Sequence, residues 1–387
     1  MHNLYNLLLV VGILLELRFN LTEIVNSIIA IKPIAGRLEN IRCLSKLNDE
    51  NNSYSYDPLV IVDYAHTPDA LEKILKTLKP AVISKGGKLH CIFGAGGDRD
   101  KNKRSKMGKI ALNFSDSITI TSDNPRSEDP DLIINEILNG IKLDQKISIE
   151  SDRALAIMRS IWIGNATDTI LLAGKGNETY QEIGNKKLFF DDREWARLAL
   201  FLPKIKGINS DTRKINKGEL FIALVGEKFD GHNYLKQAKQ AGACAAIVNH
   251  LVQGIDLPQF VLGNTKDALI RIAIAWRKRF NIPIIAVVGS NGKTTTKEMI
   301  SSIIKNFYGT SKCLASIGNF NNIIGVSLSL LKLRSQHSVA VFELGTSHPG
   351  EIKILSKIVN PNITVVTNAQ REHVQFIHNA KKLSYRE

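Results

Sequence analysis

At 387 residues the chain is too long for one ordinary domain, and its 44% hydrophobic and 23% charged residues exclude a disordered or fibrous polymer. A net charge of +14 would suit nucleic acid. However, the Lys and Arg residues are scattered and never interleave with aromatics, so nucleic acid is excluded as a partner and the basic surface reads as suited to anionic small molecules. Cys43, Cys91, Cys244 and Cys313 contain no CxxC pair, which argues against a zinc knuckle or a disulfide framework and fits a reducing compartment.

The N-terminal run LLLVVGILLEL has no Lys or Arg before it and no small-residue cleavage site. It also falls short of the ~20 apolar residues that a bilayer span takes. It reads as a packed helix within a helical stretch over residues 4–32, broken at Lys32-Pro33, in a cytoplasmic protein that does not enter membranes. A short strand near Ile41 precedes a polar loop, NDENNSYSYDP. Strands and helices then alternate: LVIVDYA, TPDALEKILKTLKPA, KLHCIFGA, KRSKMGKIALNF, SITITSD and DPDLIINEILNGI, with KISIE and TILLAG bracketing a further helix. This alternation predicts a Rossmann-like α/β unit, a parallel sheet covered on both faces. It ends near Leu200, where FLPKIKG reads as a linker. A small mixed α/β unit runs from INSDTRKINKGELFIAL through YLKQAKQAGA and AAIVN. The helix TKDALIRIAIAWRKRF leads to a third unit with strands IPIIAVVG, SVAVFELG and NITVVTNA, and the chain stops at KKLSYRE with that sheet barely begun.

The third unit opens on VVGSNGKTTTKEM, a strand, a glycine turn and a helix. The longer phosphate-loop pattern GxxxxGK[ST] would need glycine where Val287 stands, which leaves the shorter Gly289-Ser290-Asn291-Gly292-Lys293-Thr294, followed by Thr295. Glycines turn backbone N–H groups toward phosphate oxygens and the helix start adds its positive end. Lys293 would neutralise the β- and γ-phosphates of ATP, and the Thr294 hydroxyl would sit on Mg²⁺. Glu343 ends an apolar strand, where a carboxylate reaches a metal at the carboxyl edge of a parallel sheet. His373 follows the next strand in the same topological position; a lone loop histidine is ordinarily only solvated, and its placement is what singles it out. GAGGDR invites a dinucleotide reading, but GxGxxG would need glycine where Arg99 stands, and that reading is rejected.

With these residues in view, GSNGKTTT, GNFNNIIGVSLSLL, FELGTSHPGEI and TNAQREH resemble the central domain of the Mur ligase family, in its D-alanyl-D-alanine-adding (MurF) branch. SDTRKINKGELFIALVGEKFDGHNYLKQAKQAGACAAIV resembles the UDP-sugar-binding domain of the same branch. The resemblance covers roughly residues 204–387. It implies ATP and Mg²⁺ at Gly289 to Thr295, with Thr294, Glu343 and His373 as metal ligands and Lys293, Glu343 and His373 as catalytic residues. It also implies Asn319 and Asn322 beside the nucleotide or substrate, and Ser210, Asp211, Thr212 and Arg213 facing the uridine nucleotide of a UDP-MurNAc-peptide.

DYAHTPDALEKIL, FGAGGDRDKNKRSKMG, TSDNPRSEDP and LLAGKGNETYQEI…FFDDRE are instead similar to the C-terminal domain of the meso-diaminopimelate-adding (MurE) branch. Diaminopimelate bears a distal carboxylate beside a distal ammonium. A site for that zwitterion wants a guanidinium for the carboxylate and an acid for the ammonium. Arg126 and Glu178 supply both, and the resemblance adds Arg99, Asp123, Asn124, Pro125 and Gly174 to the pocket. By the same resemblance Asp63 and His66 approach ATP from this domain. Asn177 departs from the family pattern, which has histidine there, and puts the loop's fine geometry in question.

The expected organisation is a remnant helix of a central domain at 1–40, a MurE-type amino-acid-binding domain at 41–202, a MurF-type UDP-MurNAc-binding domain at 204–280 and an incomplete MurF-type ATPase domain at 281–387. The tail of one ligase is joined to the head of the next, and no counterpart of the family's carbamoylated lysine is assignable before Glu387. The reaction implied is ATP-dependent amide-bond formation through an acyl phosphate in peptidoglycan precursor synthesis, with meso-diaminopimelate, D-alanyl-D-alanine and the missing ligase fragments as partners. Since amine and acyl phosphate must be aligned at one place, the expectation for this chain alone is no ligated product. The alternative is a non-catalytic nucleotide- and UDP-sugar-binding remnant. SDTR, DNPR and DYAHTPD together argue against an unrelated P-loop NTPase.

Overall fold

The computed structural model describes residues 2–30, 34–43, 57–139, 141–142, 144–318, 320–346 and 348–369. Two helices lead, α1 (His2–Glu16) and α2 (Leu21–Ile29), the second capped by the Asn20 carboxamide, which accepts from Thr22 N at 2.8 Å. The packed helix expected here is not found. Tyr5, Leu8, Leu9 and Ile13 of α1 are exposed, and Ile24 is the buried residue of α2. A helix apolar nearly all round is ordinarily buried, so α1 is left without the matching surface that its composition calls for among the described residues. The helical stretch breaks earlier than expected, at Leu17–Asn20; Lys32-Pro33 and most of the polar loop lie outside the described residues. Among the described residues no helix is long and apolar enough to cross a membrane.

The first sheet unit comprises β1 (Glu39–Ile41), β2 (Leu59–Asp63), α3 (Pro68–Ser84), β3 (Leu89–Phe93), α4 (Asn102–Phe114), β4 (Ser117–Ile120), α5 (Pro130–Leu138), β5 (Ile147–Ile149), α6 (Arg153–Ile163) and β6 (Thr169–Ala173). Thr67, Asp129 and Asp152 cap α3, α5 and α6, and Pro68 and Pro130 open the first two of these helices. The strand order is β1-β2-β6-β3-β4-β5, with only β1 antiparallel. β6 is buried along its whole length because helices cover both faces. Ile61, Cys91, Phe93 and Leu171 face α3, α4 and α5, while Val60, Val62, Ile92 and Leu172 face the opposite layer. The predicted parallel, two-faced sheet is therefore what forms. A hairpin that the sequence reading did not contain follows, β7 (Tyr180–Ile183) and β8 (Lys186–Phe189), turning at Gly184 with φ +56°. Helix α7 (Asp192–Phe201) closes the unit.

The second unit holds β9 (Ile208–Asn209), β10 (Leu220–Ile222), α8 (Leu235–Gln240), β11 (Ala245–Val248), β12 (Gln259–Val261) and α9 (Thr265–Arg277), with a parallel sheet in the order β12-β11-β10-β9. The third holds β13 (Ile284–Val288), α10 (Lys293–Tyr308), β14 (Cys313–Ala315), α11 (Ile323–Leu330), β15 (Val339–Glu343), α12 (Glu351–Val359) and β16 (Ile363–Val366). Its four strands are parallel in the order β14-β15-β13-β16, so β13 lies inside the sheet and its carboxyl end opens at a crossover point.

The junction expected to be a linker is packed. Phe201 and Leu202 are buried, and the Phe201 ring lies 5.2 Å from that of Phe260. One core cluster runs from β2 and β6 through α6 and α7 to β10–β12, α9 and β13. Helix α9 is the shared spine, touching α6 on one side and α11 and α12 on the other. Trp162 meets Trp276 edge-to-face at 5.6 Å, and the Arg279 guanidinium lies 4.7 Å from the Trp276 centroid and 5.0 Å from that of Trp162. Polar contacts rim the seam: Arg271 Nε donates to Asp152 Oδ2 (2.7 Å), Lys278 pairs with Glu150 (3.3 Å), and Val261 N donates to Glu194 (3.2 Å).

Candidate functional site

Two clusters form, each at the carboxyl edge of a parallel sheet. In the first, Asp123 and Asn124 follow β4, Gly174 to Glu178 follow β6, and Arg99 lies beyond β3. Gly174 has φ +114°, and a Cβ there would come 2.7 Å from Asp123 Oδ2, so only glycine lets the two loops meet. The buried Asn124 carboxamide is the hub. Its Nδ2 donates to Glu178 Oε2 (2.9 Å), and its Oδ1 accepts from Lys175 Nζ (3.1 Å) and Glu182 N (3.0 Å). Lys175, fully buried, also donates to Glu178 Oε2 (3.2 Å) and Tyr180 O (2.5 Å).

Arg126 is held in the left-handed region at φ +52° by a bridge to the hairpin: its N donates to Glu182 O (3.0 Å) and its O accepts from Gly184 N (2.7 Å). Its Nε donates to Glu182 Oε2 (3.1 Å) and its Nη1 to Gly97 O (2.8 Å). Pro125 O accepts from Glu128 N, and a Cβ on Gly97 would collide with that same oxygen, which presses the GAGGDR and DNPR loops together. Buried Arg104 clamps them, donating to both Glu128 oxygens (2.8 Å each), to Glu136 (2.5 Å) and to Gly96 O (3.0 Å). The Arg104 hydrogen bonds hold the Glu128 carboxyl down at about 2. Arg153 and Asp192, both fully buried, form a forked pair (2.7 and 2.6 Å) behind the site. Arg153 also donates to Ala173 O (3.0 Å), at the end of β6.

The structure thus brings together Asp123, Asn124, Pro125, Arg126, Gly174 and Glu178. Arg99 is exposed, donating to Asp98 O at 3.3 Å. Asp63 does not offer a free carboxylate: its Oδ1 accepts from Ala65 N and its Oδ2 from Leu38 N (2.9 Å each), which ties down the segment before β1. His66 is exposed, edge-on to Tyr64 with ring centroids 4.6 Å apart.

The second cluster surrounds the glycine turn after β13. Gly289 (φ +133°) and Gly292 (φ +79°) make the turn, and Gly292 starts α10 without a side-chain cap. The turn is anchored to the strand beside it: Ser290 N donates to Asn368 O (3.0 Å), Asn291 N to Asn368 Oδ1 (2.9 Å), and Thr367 Oγ1 to Asn291 O (2.6 Å). Lys293 Nζ donates to Gly289 O (2.5 Å) and Ser290 O (2.8 Å), holding its charge over the turn. Thr294 Oγ1 donates to Glu343 Oε2 (2.8 Å), and Asn321 Nδ2 donates to Glu343 Oε1 (3.0 Å). Glu343 is 2% exposed, its N donates to Ser316 Oγ (3.1 Å), and it has no ion pair among the described residues. A buried carboxylate answered only by a hydroxyl and a carboxamide is a hard-oxygen donor set of the kind Mg²⁺ takes beside phosphate. Thr295 follows on α10.

Asn322 Oδ1 caps α11 by accepting from Gly325 N (2.8 Å). Its neighbour Asn321, which the sequence reading missed, is the one that reaches the acid. Asn319 and His373 lie outside the described residues. On the second unit Asp211 caps a short turn and forks onto Arg213 (2.9 Å twice), which lowers the Asp211 pKa; Ser210 and Thr212 flank it, half-buried.

Three family models match the chain in succession. They are the Mur ligase, glutamate ligase domain over residues 52–176, the Mur ligase family, catalytic domain over 204–308, and the Mur ligase middle domain over 287–385. Together they cover most of its length. The chain belongs to the Mur ligase family. Among curated Mur ligases, the UDP-N-acetylmuramoyl-L-alanyl-D-glutamate--2,6-diaminopimelate ligase of Nostoc sp. is 47% identical over 199 residues, which is 51% of this chain and 38% of that protein. The enzyme of the same name from Gloeobacter violaceus is 43% identical over 205 residues, 53% of this chain and 39% of that protein. The chain therefore spans under two-fifths of the length of the curated relatives it matches. A solved MurF from Acinetobacter baumannii is similar at 37% identity and a TM-score of 0.44, over 47% of this chain and 40% of that one, a likeness too partial to define the whole arrangement.

Proposed function

We propose that the chain serves peptidoglycan precursor synthesis in the cytoplasm, joining an amino-acid-binding unit of the MurE type, which takes meso-diaminopimelate, to UDP-MurNAc-peptide- and ATP-binding units of the MurF type. The reaction served is amide-bond formation through an acyl phosphate. The observation that carries this reading is the pair of Thr294 and Glu343, 2.8 Å apart beneath a glycine-and-lysine turn at the carboxyl edge of β13. Bound Mg²⁺ would be held by Thr294 and Glu343 and would supply charge neutralisation for the transferring phosphoryl group. The chain's own part is to offer the backbone N–H groups of the turn, the start of α10 and the Lys293 ammonium to phosphate oxygens. Asn321 steadies the carboxylate of Glu343.

A second reading, binding without ligation, is favoured by one feature: the amino-acid cluster stands on the β2–β6 sheet and the phosphate turn on the β13 sheet. With the two clusters belonging to different kinds of ligase, these residues alone do not assemble either reaction. The test uses the whole chain with ATP, Mg²⁺, UDP-MurNAc-peptide and either meso-diaminopimelate or D-alanyl-D-alanine. Calorimetry is expected to give Mg²⁺-dependent ATP binding that is lost in Lys293→Ala, with no ligated product by mass spectrometry. Absence of ATP binding overturns the nucleotide site; ligated product overturns the division into two half-sites.

A further inference from the structure

The ladder between β14 and β15 ends irregularly beside Glu343. Cys313, Leu314 and Ala315 pair with Val339, Ala340 and Val341 in parallel register, and Ser316 N continues the pattern by donating to Val341 O (3.0 Å). In a regular parallel ladder the next rung would run from Glu343 N to Ser316 O. Glu343 N donates instead to the Ser316 hydroxyl (3.1 Å), and the Ser316 carbonyl accepts from Lys297 Nζ (2.9 Å). Lys297 stands on α10 about one turn beyond Thr294, and its side chain is fully buried. It also pairs with Glu298 (2.7 Å), which lies at the surface. An ammonium taken out of water is costly, and a methionine would fill the same space without that cost. Packing alone therefore gives no reason for a cation here, whereas its hold on the Ser316 carbonyl does.

We propose that Lys297 is a positioning residue for the metal site: by drawing off the Ser316 carbonyl it breaks the ladder one rung early and fixes the backbone from which the Glu343 carboxylate reaches Thr294. This rests on the reading of Thr294 and Glu343 as the cation site. Lys297 is buried and acts through Ser316. Without its ammonium the carbonyl becomes a buried acceptor in want of a donor, and Glu343 N is the donor that a regular ladder would give it. The regular rung then closes, the Ser316 hydroxyl is released, and the strand end that carries Glu343 shifts with it. The two oxygens of Glu343, now aligned on Thr294 (2.8 Å) and Asn321 (3.0 Å), lose that alignment.

The test is calorimetric titration of the whole chain with ATP in Mg²⁺ and in EDTA. Lys297→Met is expected to weaken binding in Mg²⁺ by about 10-fold or more, the scale of losing a residue that orients a metal ligand, and binding in EDTA by under about 3-fold. Ser316→Ala, which removes the hydroxyl rung and spares the ammonium, is expected to give the same Mg²⁺-restricted loss. The double variant is expected to lose about as much as either single one, because both act on one hydrogen bond. Thermal unfolding of each variant shows that the fold persists, and Ser316→Ala, the smaller change, decides the matter where Lys297→Met does not fold. Unchanged Mg²⁺-dependent binding in either single variant, losses equal in Mg²⁺ and EDTA, or losses that add in the double variant overturn the role given to Lys297. Failure of the wild type to bind ATP more tightly in Mg²⁺ than in EDTA overturns the cation-site reading itself, and the role of Lys297 with it.

Discussion

Thr294 donates its hydroxyl to Glu343 across 2.8 Å, and among the described residues the buried acid that accepts it has only neutral hydrogen-bond donors. A carboxylate so placed binds a cation without first leaving another. Glu343→Gln is therefore expected to weaken ATP binding in Mg²⁺ by about 10-fold or more, the scale of losing one charged ligand of about 1.4 kcal/mol or above. Binding in EDTA should change far less. Calorimetry with and without Mg²⁺ checks this, and equal losses in both would argue against a metal role.

Arg153 and Asp192 make a different kind of pair, fully buried and structural. Arg153→Ala leaves the Asp192 carboxylate without its partner in the core, an expected loss of about 3–5 kcal/mol in urea unfolding. Replacing both partners together with apolar residues is expected to recover most of that loss.

Acid titration should find Glu128. Its folded-state pKa is depressed to about 2 by Arg104, below the ordinary glutamate value, so its contribution is complete above the unfolded pKa near 4.5 and fades as pH falls toward 2. Glu128→Gln is expected to lower stability at pH 7 and to flatten the acid limb between those values. Unfolding midpoints measured across pH 2 to 6 test the sign, over the window between the folded value of about 2 and the ordinary value of 4.5.

All three tryptophans of the chain, Trp162, Trp195 and Trp276, stand on α6, α7 and α9, the helices of the seam. Intrinsic fluorescence therefore reports the seam, and circular dichroism reports the whole chain. The two unfolding curves are expected to coincide. Trp276→Ala should cost about 3–5 kcal/mol, and Arg271→Ala, at the partly exposed rim, under about 1 kcal/mol.

Much of this was legible beforehand. Apolar runs such as LVIVD and TILLA, spaced by capped helices, announced a parallel sheet, and GSNGKT announced the turn that Gly289 and Gly292 make. What was not legible depended on partners far apart in sequence. Glu182 and Arg126 are 56 residues apart, so nothing local marked Glu182 as the acid on that guanidinium. Asn321 and Asn322 are adjacent and chemically alike; only the start of α11 decides that one caps a helix while the other reaches Glu343. The apolar character of α1 was plain, but burial needs a matching surface, and hydrophobicity alone did not supply one. The hairpin of β7 and β8 had a signal, the Gly184-Asn185 step between two short runs, that could have been used.

The tilted packing of Phe201 against Phe260 leaves the start of the join between the two halves little slack. Extra residues spliced in between Phe201 and Leu202 would pry apart a continuous oily interior instead of lengthening a tether, while the exposed Pro203, Lys204 and Lys206 just beyond would tolerate them more readily. Damage on either side of the join should accordingly be felt on the other, so that the two halves survive, or are lost, as one.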